Sequence, residues 1–150
     1  MFEIESARIT AAGVSFQLPT GFTLLESQEP HVNSTLALRA PDGGYQLIVS
    51  LDHSAQSSGD ELRSILSEGG YSVLRPITPF CQNGLSGHSA AYLSGKRGYW
   101  ELRVDLPDAD GKNGAPNTLV FQLVTHWGRG VAAYCDSPEV TALVQSLRIV

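Results

Sequence analysis

The stretch closest to a nucleophile motif is Gly84-Leu-Ser-Gly-His88. A nucleophile elbow needs Gly-x-Ser-x-Gly, with the serine on a sharp strand-to-helix turn. Here His88 stands where the last glycine should be, Gly87 comes one place early, and strand-like sequence follows. Ser86 and His88, two apart, would share one face of a strand. Nothing nearby supplies the third group that orients such a pair. The plainer reading is a tight turn before a strand, with a minor hydrolase using Ser86 or Cys81 kept as an alternative.

Four histidines, His31, His53, His88 and His126, have Cys81 and Cys135 as possible co-ligands. No pair of them has zinc spacing such as Cys-x-x-Cys or His-x-x-x-His, so neither metal nor cofactor is expected. Two cysteines cannot make a disulfide framework; both are expected as packed, inert thiols, with a single bridge or a reactive thiol as alternatives. Gly69-Gly70 and Gly128-x-Gly130 do not read as the glycine loop of a strand–loop–helix phosphate site. They are expected to be a helix exit and a turn.

A binding surface fits the residues better than a reaction does. From Tyr99, Trp100, Leu102, Val104 and Leu106 alternate with Tyr99, Glu101, Arg103 and Asp105. From Thr118, Leu119, Phe121, Leu123, Thr125 and Trp127 alternate with Val120, Gln122, Val124 and His126. A period of two sends successive side chains to opposite faces, so each segment turns one apolar face to a core. Trp100 and Trp127 fall on that face and are expected in the core. The other face carries Tyr99, Arg103, Gln122 and His126 among valines; because aromatics and Arg are enriched at interface hot spots, it is the candidate partner surface. The competing expectation is that a helix, or the long loop 107–117, covers it.

The 150 residues bound one domain, spanning 1–150, long enough to bury roughly 70% of the unfolded surface. Hydrophobic residues at 42% and charged residues at 17% are ordinary for a globular chain. A net charge of −5, with ten scattered Lys and Arg, argues against a nucleic-acid surface. No run reaches the ~18 apolar residues of a membrane span. The start, Met1-Phe-Glu-Ile-Glu, has neither a basic nor an apolar leader segment, so a cytoplasmic location is expected.

In chain order, Phe2 to Ile9 reads as a strand with a bulge near Glu5-Ser6, followed by a strand over Val14–Leu18 that Pro19 ends. Thr23 to Ser27 reads as a brief strand. Thr35–Ala40 and Tyr45–Leu51 flank Pro41-Asp-Gly-Gly44 as a hairpin. Ser58 with Glu61 has capping-box spacing, and Leu62, Ile65 and Leu66 follow as an apolar stripe that ends at Gly69-Gly70. Tyr71 to Ile77 is expected as a strand stopped by Pro76 and Pro79. Leu85 to Leu93, rich in small residues, reads as a strand passing close to another element. Gly128-Arg-Gly130 turns into Val131-Ala-Ala-Tyr134. Ser137 caps a last helix with Pro138 at its first position and Val140, Leu143, Val144 and Leu147 on one stripe, before a short strand at Arg148–Val150. The sum is α+β: a twisted antiparallel sheet with a mid-chain and a C-terminal helix laid on it.

Three segments carry a resemblance. Gly13-Val-Ser-Phe-Gln-Leu-Pro-Thr-Gly-Phe22, Asn83-Gly-Leu-Ser-Gly-His-Ser-Ala-Ala-Tyr92 and the closing Ser146-Leu-Arg-Ile149 occur in the order found in the PsbP/Mog-like family, whose bacterial DcrB-like branch the chain resembles. The resemblance implies a sheet sandwiched by helices (an α/β/α sandwich), a binding role and no shared catalysis; no functional residue transfers with it. The expected function is therefore a non-catalytic protein-binding or accessory domain whose partner is another protein. A small-ligand carrier with an apolar pocket between sheet and last helix is the alternative.

Overall fold

The computed structural model describes residues 2–25, 35–107 and 115–150. Its centre is the alternating pair expected at Tyr99–Trp127. Strand β9 (Arg97–Asp105) and strand β10 (Thr118–Thr125) are antiparallel, with Leu119 opposite Val104, Phe121 opposite Leu102 and Leu123 opposite Trp100. The apolar parity of both strands therefore lands on one face. Most of the loop expected at 107–117 lies outside the described residues.

Around this pair the chain builds a seven-stranded antiparallel sheet, in the order β4-β5-β6-β10-β9-β8-β7. The remaining members are β4 (Thr23–Leu24), β5 (Thr35–Arg39), β6 (Gln46–Asp52), β7 (Ser72–Gln82) and β8 (Leu85–Ser94). The expected hairpin across Pro41–Gly44 is β5 with β6, and Asn83-Gly84 turns β7 into β8. Both turn residues have positive φ, 51° and 82°, which suits the primed turns that match strand twist. The Gly84–His88 stretch is thus a turn and a strand. Gly87 in β8 lies so close to the Arg103 carbonyl that no Cβ would fit, the close approach that its small-residue composition signalled.

A single sheet was expected; the described residues make two. The bulge read near Glu5-Ser6 is a two-residue turn, with Ser6 and Ala7 at φ 50° and 67°. It splits the N-terminal strand into β1 (Glu3–Glu5) and β2 (Arg8–Ala11). These join β3 (Val14–Gln17) and the closing β11 (Arg148–Ile149) in a four-stranded sheet, order β1-β2-β3-β11. The apolar residues of β2 and β3, Ile9, Val14 and Phe16, are fully buried, and Phe16 meets Phe121 edge to face at 5.0 Å. The main core lies there, between the small sheet and the apolar face of the large one. The strand read over Thr23–Ser27 is seen as β4; Glu26 and Ser27 lie outside the described residues.

Helix α1 (Ser58–Glu68) covers the opposite face, over β7, β8 and β9. Its cap is Ser57, whose hydroxyl accepts from the Asp60 amide, so the capping box placed on Ser58 and Glu61 is one residue late. Ser58 has another partner, and Glu61 accepts from the Ser54 hydroxyl instead. Leu62 is fully buried, while Ile65 and Leu66 are only half-buried. The exit at Gly69-Gly70 is as expected, with Gly70 at φ 65°.

Two helices were expected; three stand among the described residues. Gly128–Gly130 is a 3₁₀ turn that runs into α2 (Val131–Cys135), so these glycines do open a helix after a strand. The Gly128 amide is already spent on the Lys96 carbonyl. Helix α3 (Pro138–Gln145) starts as read, with the Ser137 hydroxyl accepting from the Val140 amide and Pro138 at the first turn. Val140, Leu143 and Leu147 are buried against the main core.

Pro76 and Pro79 do not stop β7, which runs on to Gln82. It is the outermost strand, where a missing N–H interrupts only one side of a ladder. Pro76 falls in the register irregularity between Arg75 and Thr78. Trp127 is not in the core: β10 ends at Thr125, the alternation ends with it, and the indole is 66% exposed. Cys135 is buried and Cys81 exposed, and the two are not bonded, which corrects the expectation of two packed thiols. Among the described residues no helix is long and apolar enough to cross a membrane.

Candidate functional site

The polar face of the large sheet is divided by α1. Under the helix lie Glu101 and Arg103, both buried, and Val120, opposite Arg103 on β10, is buried beside them. Arg103 Nε donates to Glu101 Oε2 at 2.7 Å, and Glu101 Oε1 accepts from the Tyr92 hydroxyl at 3.2 Å and from Gln122 Nε2 at 3.3 Å. Tyr92 stacks on Tyr99, its register partner, with ring centroids 5.2 Å apart and planes 15° apart; Tyr71 closes the cluster at 4.7 Å from Tyr92. Burial, then the Glu101 charge, pushes the Tyr92 phenol well above its usual range. These groups are tied to one another, and Arg103, 7% exposed, is inaccessible to a partner. Of the four residues assigned to a partner surface, Arg103 is covered by the helix, Tyr99 and Gln122 are half-buried, and His126 is exposed. A covering helix was the competing expectation, and it holds for this half of the face.

At the helix N-terminus a second polar cluster joins Ser58, His88 and Asp105. Ser58 Oγ lies 2.8 Å from His88 Nδ1 and 3.1 Å from Asp105 Oδ2. A carboxylate oxygen accepts, and a hydroxyl has one proton to give. Ser58 therefore donates to Asp105 and accepts from His88, whose Nδ1 must carry a proton. The relay runs His to Ser to Asp, the reverse of a nucleophile activated by its base. Ser58 is also 2% exposed, so no substrate reaches it. The cluster clamps the start of α1 to β8 and β9. Neither Ser86 nor Cys81 hydrogen-bonds a histidine among the described residues.

Beyond the helix the same face is open among the described residues. Register aligns Arg39 with Gln46, Gln46 with Val124 and Val124 with Tyr99, one row across four strands. The row bounds a groove of about 540 Å³ floored by Ile48 and Val124, with Arg39, Arg97 and His126 around it and the Gly43–Gly44 turn at one end. Arg39, Arg97 and His126 are exposed. Sequence reading reached His126 but missed Arg39 and Arg97. Their parity with Gln46 and Tyr99 carried the signal, yet which strand neighbours β10 on its other side is a matter of topology.

A further cleft of about 390 Å³ lies between β7–β9 and α3, lined by Phe80, Trp100, Leu102 and Val144. Cys135 also lines it, and burial raises that thiol above its ordinary value. No cluster of three or more His, Cys, Asp or Glu able to hold a metal occurs among the described residues; His31 lies outside them. The chain matches no model of a known protein family and no curated protein sequence.

Proposed function

We propose that this chain is a non-catalytic accessory domain that holds another protein on the open half of its large sheet. The groove between Arg39 and His126 carries the reading: it is the stretch of the polar face that α1 leaves uncovered, and it sets arginine and histidine around an apolar floor. Arginine is among the residue types that alanine scans find enriched at the energetic heart of interfaces, where they surround a small desolvated centre. Membership of the PsbP/Mog-like group is part of the same proposal. It is supported by the order of the three sequence segments and by helices on both faces of the large sheet. The test is a photo-crosslinking side chain at Gln46 in the cells that make the protein. A discrete protein adduct is expected there and not from the same group at Glu68 on the outer side of α1. No adduct at Gln46, or equal labelling from Glu68, would remove the groove as the binding surface.

The cleft beside α3 favours a second reading, a carrier of a small apolar ligand, because Trp100 and Phe80 leave a recess open to solvent at the sheet–helix junction. In a Trp127→Phe background the remaining tryptophan reports on that cleft directly. Saturable change of its fluorescence with an apolar ligand supports the carrier, and a linear response excludes it.

A further inference from the structure

Resting on the proposal that the groove receives a partner protein, we infer that the segment received is acidic, with carboxylates on either side of an apolar residue. The chain as a whole carries a net charge of −5, yet the groove gathers Arg39, Arg97 and His126 on one face. Among the described residues none of the three is in an ion pair with a carboxylate. The carboxylate of Asp42, in the turn at the end of the groove, accepts from the Gly44 amide at 2.8 Å. Glu101, further along the face, is already shared by Arg103, Tyr92 and Gln122.

The spacing sets the ligand's pattern. Arg39 on β5 and Val124 on β10 are separated by β6, so their positions lie about 10 Å apart at ~4.8 Å per strand. His126 and Arg97 stand one step further along β10 and β9, where the register continues past Thr125 opposite Gly98. The guanidinium-bearing residues Arg39 and Arg97 therefore stand on two sides of a floor made by Ile48 and Val124. An acidic segment laid across the strands meets a guanidinium on each side while its central apolar side chain rests on that floor. Arginine forks match carboxylates in two-point contact, and complementary charge raises the rate of encounter. In a chain otherwise acidic, the same arrangement repels most alternatives of like sign.

The test uses the full chain and three short fluorescent peptides: one alternating Glu or Asp with Val, one with each acid replaced by its amide, and one with each acid replaced by Lys. The acidic peptide is expected to bind, to lose roughly tenfold in affinity from low to high salt, and to lose binding to the R39E/R97E chain. That doubly reversed chain is expected to take up the Lys peptide instead, which a merely unfolded variant cannot do. An acidic peptide that binds no better than its amide counterpart, or binds R39E/R97E equally well, overturns the inference. So does full displacement by inorganic phosphate at the peptide's own concentration, which would mark a small-anion site. None of these results bears on the Gln46 crosslink, so an adduct there with no preference for acid would leave a binding surface of different chemistry.

Discussion

Arg103 and Glu101, two residues apart on one strand, form a buried ion pair at 2.7 Å, with side chains only 8% and 4% exposed. Arg103 Nη1 makes no hydrogen bond and has Asp52 Oδ2 at 3.5 Å as its second counter-charge. The pair sits under α1 because strand residues two apart share a face and the helix lies across that face. Removing one partner leaves the other charge buried. Glu101→Gln and Arg103→Met are each expected to cost about 3–5 kcal/mol, and the double variant distinctly less than their sum. Urea unfolding of the four proteins measures this; additive losses would mean that the two groups do not sense each other.

Ser58 holds both His88 and Asp105, so Ser58→Ala strands two polar groups at the foot of the helix. A loss of about 1–3 kcal/mol is expected. Ser57→Ala removes only the cap and is expected to cost about 1 kcal/mol. Equal effects of the two changes, read from the same denaturation curves, would show that the clamp adds nothing to the cap.

Leu143 is 1% exposed and presses the last helix onto the main core. Leu143→Ala is expected to cost about 2–5 kcal/mol. Leu66→Ala on α1, where the side chain is half-buried, is expected to cost less. A reversed ranking in thermal melts would place the stabilising layer under α1 instead.

Tyr92 and Tyr45 are expected to set the alkaline limit. Burial is the first cause in each; it pushes Tyr45 up to about 12 and Tyr92 beyond the usual phenol range. A folded-state value above the unfolded one, about 10, gives a contribution that is complete below pH ~10 and lost as pH rises through the folded value. Melting temperature is therefore expected to hold up to about pH 10 and to fall above it, less steeply in Tyr92→Phe. An identical fall in that variant would assign the loss to other groups.

The alternation at Tyr99–Asp105 and Thr118–Thr125 was legible because both strands are amphipathic and their register follows from which parity is apolar. The last helix was legible from Ser137-Pro138 and its stripe. What stayed hidden depends on contacts between distant segments. Ser58 looked like a cap since it has the right spacing to Glu61; only the arrival of His88 and Asp105 gives its hydroxyl a different use. The two-residue turn at Ser6-Ala7 carries no glycine or asparagine, so a bulge explained the parity change equally well. Arg39 and Arg97 read as scattered charges until β6 places them along one groove.

Pro76 and Pro79 have one more effect, on crowding. A flanking strand offers its free backbone groups to any copy that drifts alongside, and a regular ladder can then lengthen without end. Here the missing donors and the slipped register in the outer rim break that template every few residues. Concentrated solutions should therefore stay free of fibrils, and Pro76→Val with Pro79→Thr should be the change that seeds them.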